Sequence, residues 1–119
     1  MIDSYGLYVQ ADGSNGDSAH RTGLAATLLA LNGEQAKSQE LISRIKTHLE
    51  ISSGVFRRSP YGDTFDTNPR CMSRDQVSRL ILAFAVNGEQ QEISHWLTQM
   101  RRRGFFHQNN LDDRTLRWK

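Results

Sequence analysis

The hexapeptide Ala30-Leu31-Asn32-Gly33-Glu34-Gln35 returns almost unchanged as Ala85-Val86-Asn87-Gly88-Glu89-Gln90, with the two Asn-Gly pairs 55 residues apart. Asn-Gly is a good helix stop, because glycine adopts the left-handed C′ conformation cheaply and Asn tolerates the cap region. A carboxylate just after the turn suits the positive end of a following helix. Each hexapeptide is therefore predicted to be the turn of an αα-hairpin.

The flanks agree with that prediction. Upstream, Leu24, Ala25, Leu28 and Leu31 in the first copy and Val77, Leu80, Ile81 and Phe84 in the second recur at helical spacing, which gathers each set on one face. Downstream, Leu41, Ile42, Ile45 and Leu49 are matched by Ile93, Trp96, Leu97 and Met100. Ser18 aligns with Ser73, and Ser73-Arg74-Asp75-Gln76 has the form of a capping box. Asp17 or Ser18 is the expected cap at the equivalent place. Helices are thus expected over 18–31, 34–49, 73–86 and 89–103. The third, VSRLILAFAV, is apolar on nearly every side and is expected at the centre of the core.

The expected fold class is all-α, with two stacked αα-hairpin repeats, four main helices and a long irregular connecting loop. The 119 residues are a usual length for one domain. The first repeat covers 17–56, the loop 51–72, the second repeat 73–106 and a C-terminal tail 107–119. Each copy closes on a glycine-aromatic element, Gly54-Val55-Phe56 and Gly104-Phe105-Phe106. Stacked repeats bring the two polar helix starts, Asp17-His20-Arg21 and Arg74-Asp75-Gln76, to one end of the domain. The loop, stiffened by Pro60 and Pro69, is expected to fold over them with Arg58, Tyr61 and Asp63, since loops of that length are more often functional than idle.

Composition narrows the class. The chain is 37% hydrophobic and 24% charged, as globular proteins are, and no apolar run approaches the roughly 18 to 20 residues that span a bilayer. The N-terminus does not read as a signal peptide, and Cys71 is the sole cysteine, so a cytoplasmic location is expected. A net charge of +2 is a poor electrostatic footprint for nucleic acid, which leaves that partner weakly supported. Yet twelve of the fifteen basic residues are Arg, suited to bidentate contacts with carboxylate or phosphate. Arg101, Arg102 and Arg103 are consecutive, either as an anion-contact patch or as a solvated helix end that complements the dipole.

The segments Asp12-Gly13, Gly16-Asp17-Ser18-Ala19-His20-Arg21-Thr22-Gly23, Arg57-Arg58-Ser59-Pro60 and Ser73-Arg74-Asp75-Gln76 resemble a family of phage and prophage proteins. That family carries a D-G-x-D-S-x-x-R-x-G segment, a basic-proline segment and an S-R-D-Q segment. The likeness implies phage or prophage origin and action inside the host cell, without implying an activity. The hairpin repeat is also similar to the building block of (α/α) toroids, a fold of glycoside hydrolases and terpenoid cyclases. Toroids need about six hairpins to close, and this chain has two, so that likeness is architectural.

Candidate chemistry follows from the same residues. Glycoside hydrolysis uses paired carboxylates across a cleft, and the repeat pairs Asp17 with Asp75, with Asp63 and Asp66 as further options. The competing account is that both are helix-start acids. His20 is an acid/base candidate, and Arg21 is either an anion clamp or a donor to loop carbonyls. Cys71 between Arg70 and Arg74 is either a nucleophilic thiol or a buried one. The Asp12–Asp17 stretch lacks the glycine and glutamate positions of a calcium loop, no second ligand stands at metal spacing, and no cofactor is expected.

Phe56, Tyr61, Phe65, Phe105, Phe106 and Trp118 lie outside the expected helices among Arg57, Arg58, Arg70, Arg114 and Arg117. They either form a protein-binding surface, where aromatic and Arg residues are enriched, or pin the loops to the core. The expected function is non-catalytic binding to a host protein or complex, with self-association open. Arg21, Arg57, Arg58, Tyr61, Asp63, Arg74, Arg101, Arg102 and Arg103 are the candidate contacts. Inhibition of host machinery such as CRISPR defence is the form of binding that small phage proteins suggest. The alternative is a hydrolase or hydrolase fragment using Asp17, Asp75 and His20.

Overall fold

The computed structural model describes residues 2–10, 16–61, 67–68 and 72–102. Its elements are α1 (Ser18–Leu31), α2 (Gln35–His48), β1 (Glu50–Ser52), β2 (Val55–Phe56), α3 (Arg74–Val86) and α4 (Gln90–Arg102). The protein is mainly helical, with α1/α2 and α3/α4 forming two hairpins that pack together.

The two Asn-Gly turns share their closing hydrogen bonds, though Asn32 N–H reaches back four residues to Leu28 O and Asn87 N–H only three, to Phe84 O. Gly33 N–H donates to Ala30 O (3.2 Å) and Gly88 N–H to Ala85 O (3.1 Å), while Glu34 N–H donates to Leu29 O (2.8 Å) and Glu89 N–H to Phe84 O (2.9 Å). Both glycines sit in the left-handed region, with φ of 83° and 69°. The second helix of each hairpin begins one residue later than expected, at Gln35 and Gln90. Glu34 and Glu89 instead pair with cations, Glu34 with Lys37 (2.9 Å) and Glu89 with Lys46 of the other hairpin (2.8 Å).

The capping box at Ser73 is present: Ser73 N–H donates to Gln76 Oε1 (2.9 Å), and Gln76 N–H points back at the Ser73 hydroxyl (3.5 Å). The hydroxyl donates to the same Gln76 oxygen. At α1 the expected side-chain cap does not form. Asp17 occupies the cap position without a capping hydrogen bond, and Ala19 N–H is met by the Arg58 carbonyl (2.9 Å). The connecting segment has taken over the role of the cap.

Three of the four expected stripes are largely buried. Leu41, Ile42, Ile45 and Leu49 are in the core, as are Val77, Leu80, Phe84, Trp96 and Met100, with Ile81 and Ile93 packed against them. Leu97 is exposed, and so is Leu82, so α3 is a core helix with an open side. Between the hairpins Phe56 stacks on Trp96 (centroids 4.6 Å apart, 14° between planes) and leans on Phe84 (5.5 Å). Phe56 is therefore a core residue and not part of a binding surface.

The stripe expected on α1 is contradicted. Leu28 and Leu31 are 57% and 72% exposed, while the buried face consists of Ser18, Ala19, Thr22, Gly23, Ala26 and Thr27. The physical reason is proximity, since α1 makes its closest backbone approaches to α3 and α2. A Cβ on Gly23 would lie 2.9 Å from the Arg79 carbonyl carbon and oxygen, so only glycine lets the two backbones come this close. Small residues win this contact, and their hydroxyls find acceptors and donors: Thr27 Oγ1 donates to Gly23 O (2.9 Å), and Thr22 Oγ1 accepts from Tyr8 N–H (2.9 Å).

Two elements were not expected. β1 and β2 form a short antiparallel hairpin directly after α2. Its turn residue Gly54 has φ of 75°, and an added Cβ would meet the His95 carbonyl carbon and oxygen at 2.6 Å. The N-terminal segment is folded as well, with an Ile2–Tyr8 bridge that buries Leu7 and Val9. Asp3 Oδ1 accepts from Tyr5 and Leu7 N–H (2.9 and 3.0 Å), and Asp3 Oδ2 accepts from the Tyr61 hydroxyl (2.9 Å).

Candidate functional site

At the end where α1 and α3 begin, Asp17, His20, Arg58, Ser73, Asp75 and Gln76 line a polar recess of about 200 Å³. The sequence brings them there for local reasons. Asp17 and His20 flank the first residues of α1, Ser73 caps α3, and Asp75 and Gln76 are in its first turn. Arg58 enters from the segment after β2, anchored by the bond between its carbonyl and Ala19 N–H.

The recess is partly wired into the fold. Gln76 Nε2 donates to Asp17 Oδ1 (3.0 Å), joining the two repeats, and Arg58 Nη2 stands 4.0 Å from the same oxygen. Arg58 is only 7% exposed. A guanidinium removed this far from water needs an anionic or hydrogen-bonding neighbour, and Asp17 supplies one. His20 Nδ1 and Arg58 Nε are buried without a hydrogen-bond partner, which leaves two polar atoms at the wall uncommitted. Asp75 is exposed at the rim. Among the described residues no group of three or more His, Cys, Asp or Glu side chains is placed to hold a metal ion.

The structure thus brings together Asp17, His20, Asp75 and Arg58 and separates them from other candidates. Arg21 is exposed and lines a different groove with Tyr8, Val9 and Leu24. Arg74 is exposed next to the recess without lining it. Arg57 is turned inward, donating from Nε (3.0 Å) and Nη2 (2.8 Å) to His48 O, where it covers the C-terminal end of α2. Tyr61 stacks on Tyr5 (5.3 Å) over the N-terminal turn. Arg101 and Arg102 are exposed at the end of α4. Asp63, Asp66, Phe65, Arg70, Cys71, Arg103, Phe105, Phe106 and the 107–119 tail lie outside the described residues, as does most of the Asp12–Asp17 stretch.

A second polar cluster escaped sequence reasoning. Glu50 on β1 lies beside Glu92 of α4, whose Oε2 is buried without a hydrogen-bond partner, and accepts from Gly54 N–H (3.0 Å). Burial, and then the neighbouring Glu92 carboxyl, push the Glu50 carboxyl up to about 7, against the opposing pull of Gly54 N–H and Lys46. The two glutamates are 42 residues apart in sequence, so only the β-hairpin, absent from the expectations, makes them neighbours.

No protein-family model matches the chain, and no curated protein or solved structure shows significant similarity to it. No helix among the described residues is long and apolar enough to cross a membrane.

Proposed function

We infer that the protein is a non-catalytic binding protein of phage or prophage type that acts by occupying the surface of a host protein or complex. The observation that carries it is the recess at the helix starts. Its one buried cation, Arg58, stands 4.0 Å from the half-exposed Asp17, which accepts from Gln76, while Arg74 and Asp75 stand exposed at its mouth. A recess with uncommitted polar atoms in its wall and a charged rim accepts a polar side chain from a partner, because rim charges steer and orient an encounter. Inhibition of host machinery such as CRISPR defence is the form of binding that small phage proteins suggest.

The test is a pull-down from host lysate, quantified by mass spectrometry, with the wild type beside Arg74→Glu and Asp75→Arg. A stoichiometric partner held by the wild type and released by either rim variant supports the proposal. Arg57→Glu and Arg58→Glu are unsuitable probes, since both guanidinium groups are engaged within the protein and their reversal would act on stability.

A second reading is favoured by one observation, that Asp17, Asp75 and His20 share the recess. Under it the protein is a hydrolase or hydrolase fragment related to the (α/α) toroid glycosidases. A glycan-hydrolysis screen of the wild type and Asp17→Asn decides, because activity that disappears in the variant would replace the binding proposal.

A further inference from the structure

The β1–β2 hairpin is fastened firmly at its base and lightly at its tip. At the base Arg57 N–H donates to Leu49 O (2.9 Å), and the Arg57 guanidinium holds His48 O from two nitrogens. Phe56 is buried there against Trp96. Above it the ladder is three residues against two, with an irregular register, and a two-stranded hairpin alone is marginal in water. Its order therefore depends on α4, which it meets at the tip. Gly54 lies so close that a Cβ there would be 2.6 Å from the His95 carbonyl, and Gln99 Nε2 donates to Ser53 O (3.2 Å).

That docking presses two carboxyls together. Glu50 of β1 and Glu92 of α4 are half-buried neighbours between hairpin and helix. Glu92 Oε2 is sealed from solvent without a hydrogen-bond partner, a placement that an ionised carboxylate tolerates poorly. Glu50 has a neutral donor in Gly54 N–H (3.0 Å). The cation that acts on it, Lys46 of α2, is engaged with Glu89 (2.8 Å). His48, at the end of α2, is turned to Tyr5, and His95 meets the hairpin through its backbone carbonyl.

We propose that the hairpin is a pH-released strap, closed on α4 while the Glu50 carboxyl is neutral and lifting about its Leu49–Arg57 base when Glu50 and Glu92 are both ionised. Val55 and Trp96, buried in the closed state, are uncovered at the edge of the lifted hairpin, so an apolar contact becomes available only as pH rises. The sign follows from linkage. Closed, burial and then the facing carboxyl raise Glu50 from 4.5 to about 7; lifted into water, the group returns towards 4.5. The neutral form therefore favours closure, and that preference is lost as pH rises through about 7.

NMR amide exchange on the full chain tests the strap, read as protection factors so that the intrinsic pH dependence of exchange divides out. Across 50–56 the wild type is expected to lose protection by about tenfold or more between about pH 5 and pH 8, while the amides of α3 stay better protected at every pH. Glu92→Gln removes the facing charge but leaves the burial, and is expected to reduce the loss to about threefold. Glu50→Gln is expected to hold the strap closed, with protection constant to within about twofold. Both changes are nearly isosteric, and either suffices should the other fail to fold. Hairpin protection that does not change with pH overturns the proposal. So does a pH dependence that survives in Glu50→Gln, which would assign it to another group such as His95. Hairpin amides that exchange only as fast as those of α3 overturn it as well, because the hairpin would then open only when the whole chain unfolds.

Discussion

The two hairpins share a turn and differ in the helix that precedes it. Around Gly33 and Gly88 two closing backbone hydrogen bonds, from the glycine and from the glutamate N–H, recur at the same offset. Yet α3 buries Val77, Leu80 and Phe84, whereas α1 buries Ala19, Thr22, Gly23 and Ala26 and leaves Leu28 and Leu31 outside. A turn is decided by residues within it, while the buried face of a helix is decided by what packs on it. α1 lies against both α2 and α3, and at such close approach small side chains replace large ones.

The asymmetry extends to the side chains of the turns. Asn87 Nδ2 donates to Ser38 Oγ (2.8 Å) and to Ala83 O (2.9 Å), and Asn87 Oδ1 accepts from Gln35 Nε2 (2.7 Å). Ser38 Oγ passes the chain on to Ala26 O (2.6 Å). The second turn is thereby tied to both helices of the first hairpin. Asn32, its repeat counterpart, is exposed.

Substitutions in equivalent elements should sharpen this contrast. The largest effect is expected at the point where the first hairpin's tail meets the second. Gly54→Ala combines a left-handed backbone with a Cβ driven into the His95 carbonyl, and is expected to lower stability by about 4 kcal/mol in chemical denaturation. Backbone cannot swing aside as a flexible side chain does. Next comes Asn87→Ala, which removes three hydrogen bonds from a partly buried site and is expected to cost about 2 kcal/mol. Asn32→Ala is expected to stay within about 0.5 kcal/mol of the wild type, as surface changes usually do. Equal costs at the two asparagines would break the comparison.

A further effect, between those of the two asparagines, depends on pH. With its carboxyl at about 7 when folded and 4.5 as the reference, Glu50 binds its proton more tightly in the native state. Its stabilisation is complete below pH 4.5 and is lost as pH rises through about 7. Glu50→Gln should therefore flatten stability across that window. Above it the variant should exceed the wild type by about 1 kcal/mol, a figure reduced for the solvent that reaches this pair. Thermal melts of both proteins between about pH 4 and pH 8 would register the difference. A wild type whose stability rises over that window would contradict the raised carboxyl of Glu50.

What the sequence made legible was local. The Asn-Gly turns, the Ser73 capping box and the stripes of α2, α3 and α4 each depend on residues within one or two turns of chain. The meeting of the polar helix starts is not local, but it follows from repetition of the hairpin. The face of α1 was illegible because Thr22 and Thr27 count as polar by composition, yet are buried with their hydroxyls hydrogen-bonded. Arg57 and Arg58 misled for a related reason. An arginine beside an aromatic in sequence looks like a contact residue, but here one guanidinium covers the end of α2 and the other lies beneath the recess. The β-hairpin was hidden by its brevity, since strands of three and two residues carry no usable alternation.

The claim on which most of this rests is that the buried side of α1 is its small-residue side. It is tested most directly by comparing the folded fraction of Leu28→Asp and Leu80→Asp by circular dichroism. The two positions are both apolar members of predicted helix stripes, one exposed and one fully buried. Leu28→Asp should retain its helical signal and cooperative melt, whereas Leu80→Asp, with a carboxylate placed in the core, should be largely unfolded at room temperature. Unfolding of both alike would show that the leucine face of α1 is part of the core after all.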